Sequence, residues 1–507
     1  MTEKNGILRK SLIFLMIISM LLTLLSVPAA AKSKVRLSKT KLTITEGKST
    51  TIKLTGTSKK AKWSVSGKKL VTIKTSGTKK HKAVIKAEDK EGTCYVKVKA
   101  GRKTLKCKIT VKPAKQPEPD PEPEPIPEPD PFTKAVTDTS VSMLKYLSAN
   151  ENDKTRNILI SPDSILTAMA MTENGAENNT LLEMETAFGG MHVDEFSQKL
   201  SDLNKHLTES KFVSYHIANS IWYKDNEDDI KVKESFIQKN KDLFDAEICR
   251  EPFTPETVEK INNWVDQKTE GMIKKIIDDL SKDTVMLLIN AIAFEGEWAE
   301  QYDEHHVSEQ PFKNDDGTEQ KTVSMLDGIE NTYVNIGGAD GFIKYYKGGE
   351  IAFLGLETPA GKTVDEFIQN LSGNDFVEGY YRRSHQYDVI TKMPEFTYDY
   401  DESLVDTMKF LGIHSAFNEL GYPAADFTGI APPEQPLEIS DVLHKTHIEL
   451  DRNGTKAAAV TAVIMDKAAS VPKQKDKINV NLDHPFVYAI IDTKTGIPLF
   501  IGTVKTV

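Results

Sequence analysis

Residues 117–131 read Pro-Glu-Pro-Asp-Pro-Glu-Pro-Glu-Pro-Ile-Pro-Glu-Pro-Asp-Pro. Proline at every second position removes half of the amide donors and clashes with any helix interior. Such a run favours polyproline II at ~3.1 Å per residue, a semi-rigid spacer of roughly 45 Å. The chain of 507 residues is therefore divided, and each side must bury a core of its own. The sides differ in charge. Counting Lys and Arg against Asp and Glu, residues 32–115 carry +22 and residues 132–507 carry −27, with six acids on the spacer. The formal net charge of −9 describes neither part. Three cysteines in the whole chain exclude a disulfide scaffold, and 39% hydrophobic residues exclude a disordered one.

The first 31 residues look like an export signal. Lys4, Arg9 and Lys10 precede an apolar run from Leu12 to Val27, and Pro28-Ala29-Ala30-Ala31 supplies the small residues that a peptidase needs. Cleavage is expected after Ala31. The alternative is an uncleaved anchor, because the run approaches the length of a short spanning helix. The mature chain is expected outside the cell, secreted or held at its surface.

Residues 32–113 show short alternating runs at roughly ten-residue spacing: Lys41 to Thr45, Thr51 to Thr55, Lys82 to Lys86 and Tyr95 to Val98. Period-2 alternation with glycine-bearing turns predicts an all-β sandwich. Leu42, Gly47, Trp63, Val71-Thr72-Ile73, Gly92-Thr93 and Lys108-Ile109-Thr110-Val111 together resemble the bacterial immunoglobulin-like (group 2) domain, which implies a spacer or adhesive module. Cys94 and Cys107 fall on the last two predicted strands. If turn register makes them directly opposed, they suit a disulfide; if diagonal, they do not. Both alternatives stay open. The basic residues number 24 Lys to 2 Arg, and Trp63 and Tyr95 are the only aromatics of residues 32–115. Arginine forks and stacking platforms are absent, so nucleic acid is not an expected partner. The charge leaves two alternatives open, attraction to an anionic surface such as a cell-wall polymer and a solvated face that protects the strand edges. Residues 114–131 form the linker.

Residues 132–507 mix helix and strand signals. Ser161 caps a helix opened by Pro162, and Val258, Ile261, Trp264 and Val265 mark another that ends at Gly271. Runs from Thr284 to Ile292 and from Phe486 to Ile491 read as strands. The class is α+β rather than a regular βαβ series. No nucleophile elbow, HExxH, P-loop or dinucleotide fingerprint occurs. Glu304-His305-His306 is the tightest metal candidate, but neighbouring histidines point apart and no third ligand is near in sequence, so no metal or other cofactor is expected. One segment stands out: Gly454-Thr455-Lys456-Ala457-Ala458-Ala459-Val460-Thr461-Ala462-Val463-Ile464-Met465. It is small and uncharged after Lys456, follows the strand-like His447-Ile448-Glu449-Leu450, and ends in a lysine-rich polar tract. These flanks predict a loop joining two strands.

At this point the chain resembles a serpin. The matching motifs include Asn157 to Ile165, Gly175-Ala176, Ile261 to Val265, Thr269-Glu270-Gly271, Asn290-Ala291, Phe294, Gly296, Trp298 and Pro311-Phe312. They continue through Ala425-Asp426-Phe427, His444-Lys445, Asp483-His484-Pro485-Phe486 and Pro498 to Gly502. The resemblance implies a serpin fold, three β-sheets with about nine helices and an exposed reactive loop. It implies a monomeric inhibitor of serine-type endopeptidases, not an enzyme. A protease cleaves the loop, and the loop then inserts as a new strand in the central sheet. Gly454, Thr455, Lys456, Ala457, Ala458, Ala459, Val460 and Thr461 match the hinge. Its inward alternate positions are uncharged, as insertion between packed strands demands. Family counting places the cleaved bond between Ala468 and Ala469, suiting elastase- or subtilisin-like proteases. One residue of slippage gives Lys467 and trypsin-like targets. Ser161, Ser164, Asn290 and His444 match the shutter beneath the sheet, and Trp298 matches the breach at its top. Arg452 stands where inhibitory serpins usually carry Glu, which puts the hinge's ion pairing in doubt. The alternative function is a surface adhesin whose serpin part inhibits nothing.

Overall fold

The structure is a computed structural model that describes residues 34–113, 128–226, 228, 230–314, 318, 322–455 and 475–507. The expected signal segment and most of the linker lie outside the described residues. The chain divides into two compact units between Pro125 and Ile126.

The first unit is built from two four-stranded sheets. One orders Arg36–Leu37, Ser49–Thr55, Lys82–Ala87 and Val71–Ser76; the other orders Lys41–Thr45, Lys103–Lys112, Gly92–Ala100 and Ala61–Gly67. Alternation works as the sequence predicts. Ile52, Leu54, Ile85, Val96, Val98, Ile109 and Val111 form one buried cluster, while the residues between them face water. Trp63 packs beside that cluster and donates its indole N–H to the Lys80 carbonyl at 2.7 Å. The register decides the cysteine question. Cys94 lies opposite Ile109, and Cys107 lies opposite Val96. The pair is diagonal, so the disulfide alternative is corrected: both are free, buried thiols whose pKa burial raises.

The second unit holds nine α-helices among the described residues and three sheets. Its first helix, Pro131–Asn150, takes the last proline of the spacer as its first residue, and Asp130 caps it through bonds from the Phe132 and Thr133 amides at 3.1 and 3.3 Å. The helical part therefore starts one residue inside the expected linker. A six-stranded antiparallel sheet runs Tyr333–Ile336, Ala339–Tyr345, Ile351–Glu357, Phe486–Asp492, Pro498–Val504 and Ile158–Ile160. Every residue of Phe486–Asp492 and Pro498–Val504 is buried, which explains why both are apolar except at Asp492 and Thr503. A four-stranded sheet orders Val307–Gln310, Val323–Glu330, Tyr387–Pro394 and Asp476–Asn481. The central sheet orders Glu247–Glu251, Val213–Lys224, Met286–Glu297, Gly454–Thr455, Leu443–Leu450 and Phe396–Ser403. Helix Pro162–Glu173 packs on the Met286–Glu297 strand and carries the expected Ser161 cap.

Candidate functional site

The centre of the six-stranded sheet is interrupted. Met286–Glu297 and Leu443–Leu450 are both antiparallel to Gly454–Thr455, so they run parallel to each other. Their link is this two-residue wedge: Gly296 opposes Thr455, Glu297 opposes Gly454, and Thr455 opposes Leu450 on the other side. Below the wedge lies a slot. Ile292, Ala293 and Phe294 line one side and Thr446, His447 and Ile448 the other, with Met272, Ile273, Ile490 and Phe500 completing it. It offers about 10 Å³, room for one water. Two strand edges that would ordinarily seek a partner thus face each other across a narrow gap.

The wedge is held by a dense set of contacts. Asp451 turns the chain, accepting bonds from the amides of Asn453 and Gly454 at 2.7 and 3.1 Å. Gly454 has φ +157°, and a Cβ there would lie 2.0 Å from the Gly296 carbonyl oxygen, so glycine alone fits. Thr455 is buried, and its hydroxyl shares a hydrogen bond with the Tyr346 hydroxyl at 2.6 Å. The Tyr346 ring stacks on Trp298 with centroids 4.4 Å apart. Trp298 donates from its indole to the Asp451 carbonyl and from its backbone to the Asn453 carbonyl, both at 2.9 Å. The Tyr302 amide donates to the Arg452 carbonyl at 3.1 Å. Arg452 in turn donates to Glu395 Oε1, from its amide at 2.9 Å and its side chain at 3.2 Å. The unusual arginine is therefore paired, with a carboxylate as its anchor. Beneath these aromatics Lys344 is buried, 4.2 Å from the Tyr302 ring centre and 5.4 Å from that of Trp298, and it bonds Glu330 at 2.8 Å. Burial raises the Glu330 pKa, and Lys344 opposes that rise.

Further down the slot, a polar chain crosses beneath the sheet. Asn219 donates to the Phe244 carbonyl at 2.8 Å, Asn290 donates to Asn219 at 2.7 Å, and the Ser164 hydroxyl donates to Asn290. Ser161 accepts from the Ser164 amide at 3.3 Å, donates from its hydroxyl to the Leu499 carbonyl at 2.9 Å, and donates from its amide to His444 Nε2 at 3.1 Å. Asn290 and His444 sit on the two strands that flank the slot, so the chain bolts them together through the helix N-terminus. Desolvation drives the His444 pKa down to about 3, which keeps the imidazole neutral and able to accept.

The structure thus brings Ser161, Ser164, Asn290 and His444 into one network and places Trp298 on the wedge with Gly454 and Thr455. Lys456, Ala457, Ala458, Ala459, Val460 and Thr461 lie outside the described residues, as do Lys467, Ala468 and Ala469. The segment that holds them runs from the central sheet to the Asp476–Asn481 strand of the four-stranded sheet, which matches the expected strand-to-strand connection. His305 and His306 stand exposed on a short turn, with His306 bonded to Asp303 at 2.8 Å. Sequence reasoning missed Asn219, Tyr346, Glu395 and the Lys344–Glu330 pair. Asn219 is the one amide side chain of the Val213–Lys224 strand, which also carries Ser214, His216 and Ser220, so its signal is weak. Glu395 and Lys344 carry no local signal, because their partners lie 57 and 14 residues away.

The sequence matches the family described as Serpin (serine protease inhibitor) over residues 134–506. The chain belongs to the serpin family. A serine proteinase inhibitor of Cavia porcellus is 30% identical over 72% of this chain and 86% of its own length. Neuroserpin of Homo sapiens is 29% identical over 73% of this chain and 90% of its own. Among solved structures, the thermophilic serpin Tengpin in the native state is similar with TM-score 0.67 and 37% identity, covering 75% of this chain and 95% of that one. Serpins are generally protease inhibitors rather than enzymes, and the three sheets and nine described helices of this serpin fit that fold.

Proposed function

We propose that this serpin is secreted or held at the cell surface and inhibits serine proteases as a suicide substrate. The protease's serine attacks the carbonyl of Ala468, or of Lys467; that carbonyl becomes the acyl group on the serine as the amine of the following residue leaves, and the freed segment enters the slot. The observation that carries this reading is the Gly454–Thr455 wedge, a strand already started between two parallel neighbours. Continuing its register, Ala457 would oppose Phe294 and Ile448, Ala459 would oppose Ile292 and Thr446, and Thr461 would oppose Asn290 and His444. Insertion by seven residues beyond Gly454 therefore reaches the polar bolt and must part it. The inward positions are Thr455, Ala457, Ala459, Thr461, Val463 and Met465, all uncharged. We place the target among elastase-, subtilisin- or trypsin-like enzymes and read the N-terminal unit as an immunoglobulin-like module that holds the inhibitor on anionic cell-wall polymers. Incubation with pancreatic elastase, subtilisin and trypsin tests the inhibitory reading. A denaturant-stable covalent complex with at least one is expected; loop cleavage by all three without any complex would overturn it.

A further inference from the structure

The N-terminal unit places its charge in a pattern that composition does not reveal. In the sheet formed by Lys41–Thr45, Lys103–Lys112, Gly92–Ala100 and Ala61–Gly67, the outward residues are lysines, threonines, serines and one tyrosine. Lys97 lies directly opposite Lys106, Lys99 opposite Lys62, and Lys108 between Tyr95 and Lys41. Lys112 extends the set opposite Thr45. Like charges directly opposed across a ladder destabilise a sheet. Yet this outer face carries no acid: Glu46, Glu88, Asp89 and Glu91, the acids of residues 34–113, all lie off its four strands. Tyr95 stands at its centre, 42% exposed. The second sheet's outer face is less concentrated, with Lys53, Lys82, Lys86 and Lys74 around the half-buried Val84.

We propose that the lysine face of the Lys41–Thr45, Lys103–Lys112, Gly92–Ala100 and Ala61–Gly67 sheet binds an extended polyol-phosphate polymer. This rests on the reading of the N-terminal unit as the part that holds the inhibitor, and is independent of the inhibitory reading. Charge complementarity selects an anion, and the geometry selects a polymer. Lysines recur at ~6.5–7 Å along a strand and ~4.8 Å between strands, a flat array with no concave seat for a single ion. Ammonium groups act as point charges that suit a tetrahedral phosphate, and the interleaved hydroxyls of Thr93, Ser64 and Thr110 can donate to its oxygens. One exposed tyrosine offers a surface for a polyol backbone but no platform for successive bases.

The test uses the full chain, a poly(glycerol phosphate) probe and titrations over a range of salt. Binding at low salt that weakens steeply as salt rises is expected, through counterion release. Replacing Lys97, Lys99, Lys106 and Lys108 by Gln should cost roughly tenfold or more and flatten the salt slope. Replacing Lys53, Lys74, Lys82 and Lys86 by Gln removes the same charge from the other face and should cost far less. Melting curves of both variants establish that each stays folded. Equal losses from the two sets, or no binding at low salt, overturn the proposal. Equal or tighter binding of polygalacturonate or duplex DNA overturns the polymer class. Binding that appears only after Glu118, Asp120, Glu122 and Glu124 are changed to Gln makes the spacer the occupant instead. Whole cell walls that still bind the Lys97, Lys99, Lys106 and Lys108 variant overturn this face while leaving the holding role intact.

Discussion

Replacing Thr455 probes the wedge most sharply. Its side chain is 3% exposed and its hydroxyl meets that of Tyr346, which is itself fully buried. Thr455→Val keeps the shape but orphans the Tyr346 hydroxyl, at a cost of about 1–3 kcal/mol. Thr455→Arg adds an unpaired guanidinium among Phe294, Leu450 and Tyr346, and desolvation raises the cost by several kcal/mol more. Each substitution expels the wedge from the sheet, so that insertion must bury position 455 afresh, and each ~1.4 kcal/mol of that cost slows it tenfold. Thr455→Val should then slow insertion roughly tenfold, and Thr455→Arg by more than about a hundredfold. Acylation and deacylation occur at a bond thirteen or fourteen residues away and should keep their rates. The assay is the stoichiometry of inhibition against any protease that the unmodified chain traps. The partition should shift stepwise from complex to cleaved product, Thr455 to Val to Arg, with unchanged rates of loop cleavage. A Thr455→Arg chain that forms complex with undiminished yield would refute the reasoning.

Four further outcomes concern the wedge and the buried polar groups around it. Gly454→Ala sets a Cβ against the Gly296 carbonyl at 2.0 Å, where only backbone could yield; the wedge should be expelled, with faster amide exchange at Thr455 and poorer inhibition. His444, depressed to about 3, cannot take up the proton that the unfolded chain binds below ~6.5, so its contribution is complete above pH 6.5 and is lost as pH falls toward 3, by up to roughly 5 kcal/mol. Asp163, buried in the first turn of the Pro162–Glu173 helix and accepting from the Tyr215 hydroxyl at 3.0 Å, is raised to about 7 by burial and works in the opposite sense, losing stability as pH climbs from ~4 to 7; denaturant titrations should therefore show His444→Gln gaining relative stability at acid pH and Asp163→Asn gaining it near neutrality. Lys344→Met leaves the half-buried Glu330 unpaired and should cost about 2–4 kcal/mol, while Lys344→Met with Glu330→Leu should recover most of it in a double-mutant cycle of urea unfolding.

Much of the fold is legible in the chain because its signals are local. The proline run separates two units, period-2 alternation gives the strands of the first, and the Ser161-Pro162 cap opens the second helix of the other. Of the expected hinge the described residues include Gly454 and Thr455, which stand out in the chain because a run of small, uncharged residues follows Lys456. What stays hidden is pairing. The diagonal placement of Cys94 and Cys107 depends on ladder register, which the turn between the strands fixes and composition does not. Arg452 reads as a broken ion pair until Glu395, 57 residues upstream, is brought beside it. Lys344 reads as an exposed strand lysine until Trp298 and Tyr302 close over it. The lysines of residues 32–115 read as a general charge until register gathers seven of them on one face.

The central claim is that the slot between Met286–Glu297 and Leu443–Leu450 receives the cleaved loop. Hydrogen exchange of these two strands, measured before and after limited cleavage within residues 456–474, tests it most directly. Ladder formation by Ala457, Ala459 and Thr461 should slow exchange at the slot-facing amides of both strands, down to the level of Asn290 and His444 and beyond. Exchange that is unchanged after complete cleavage would contradict it.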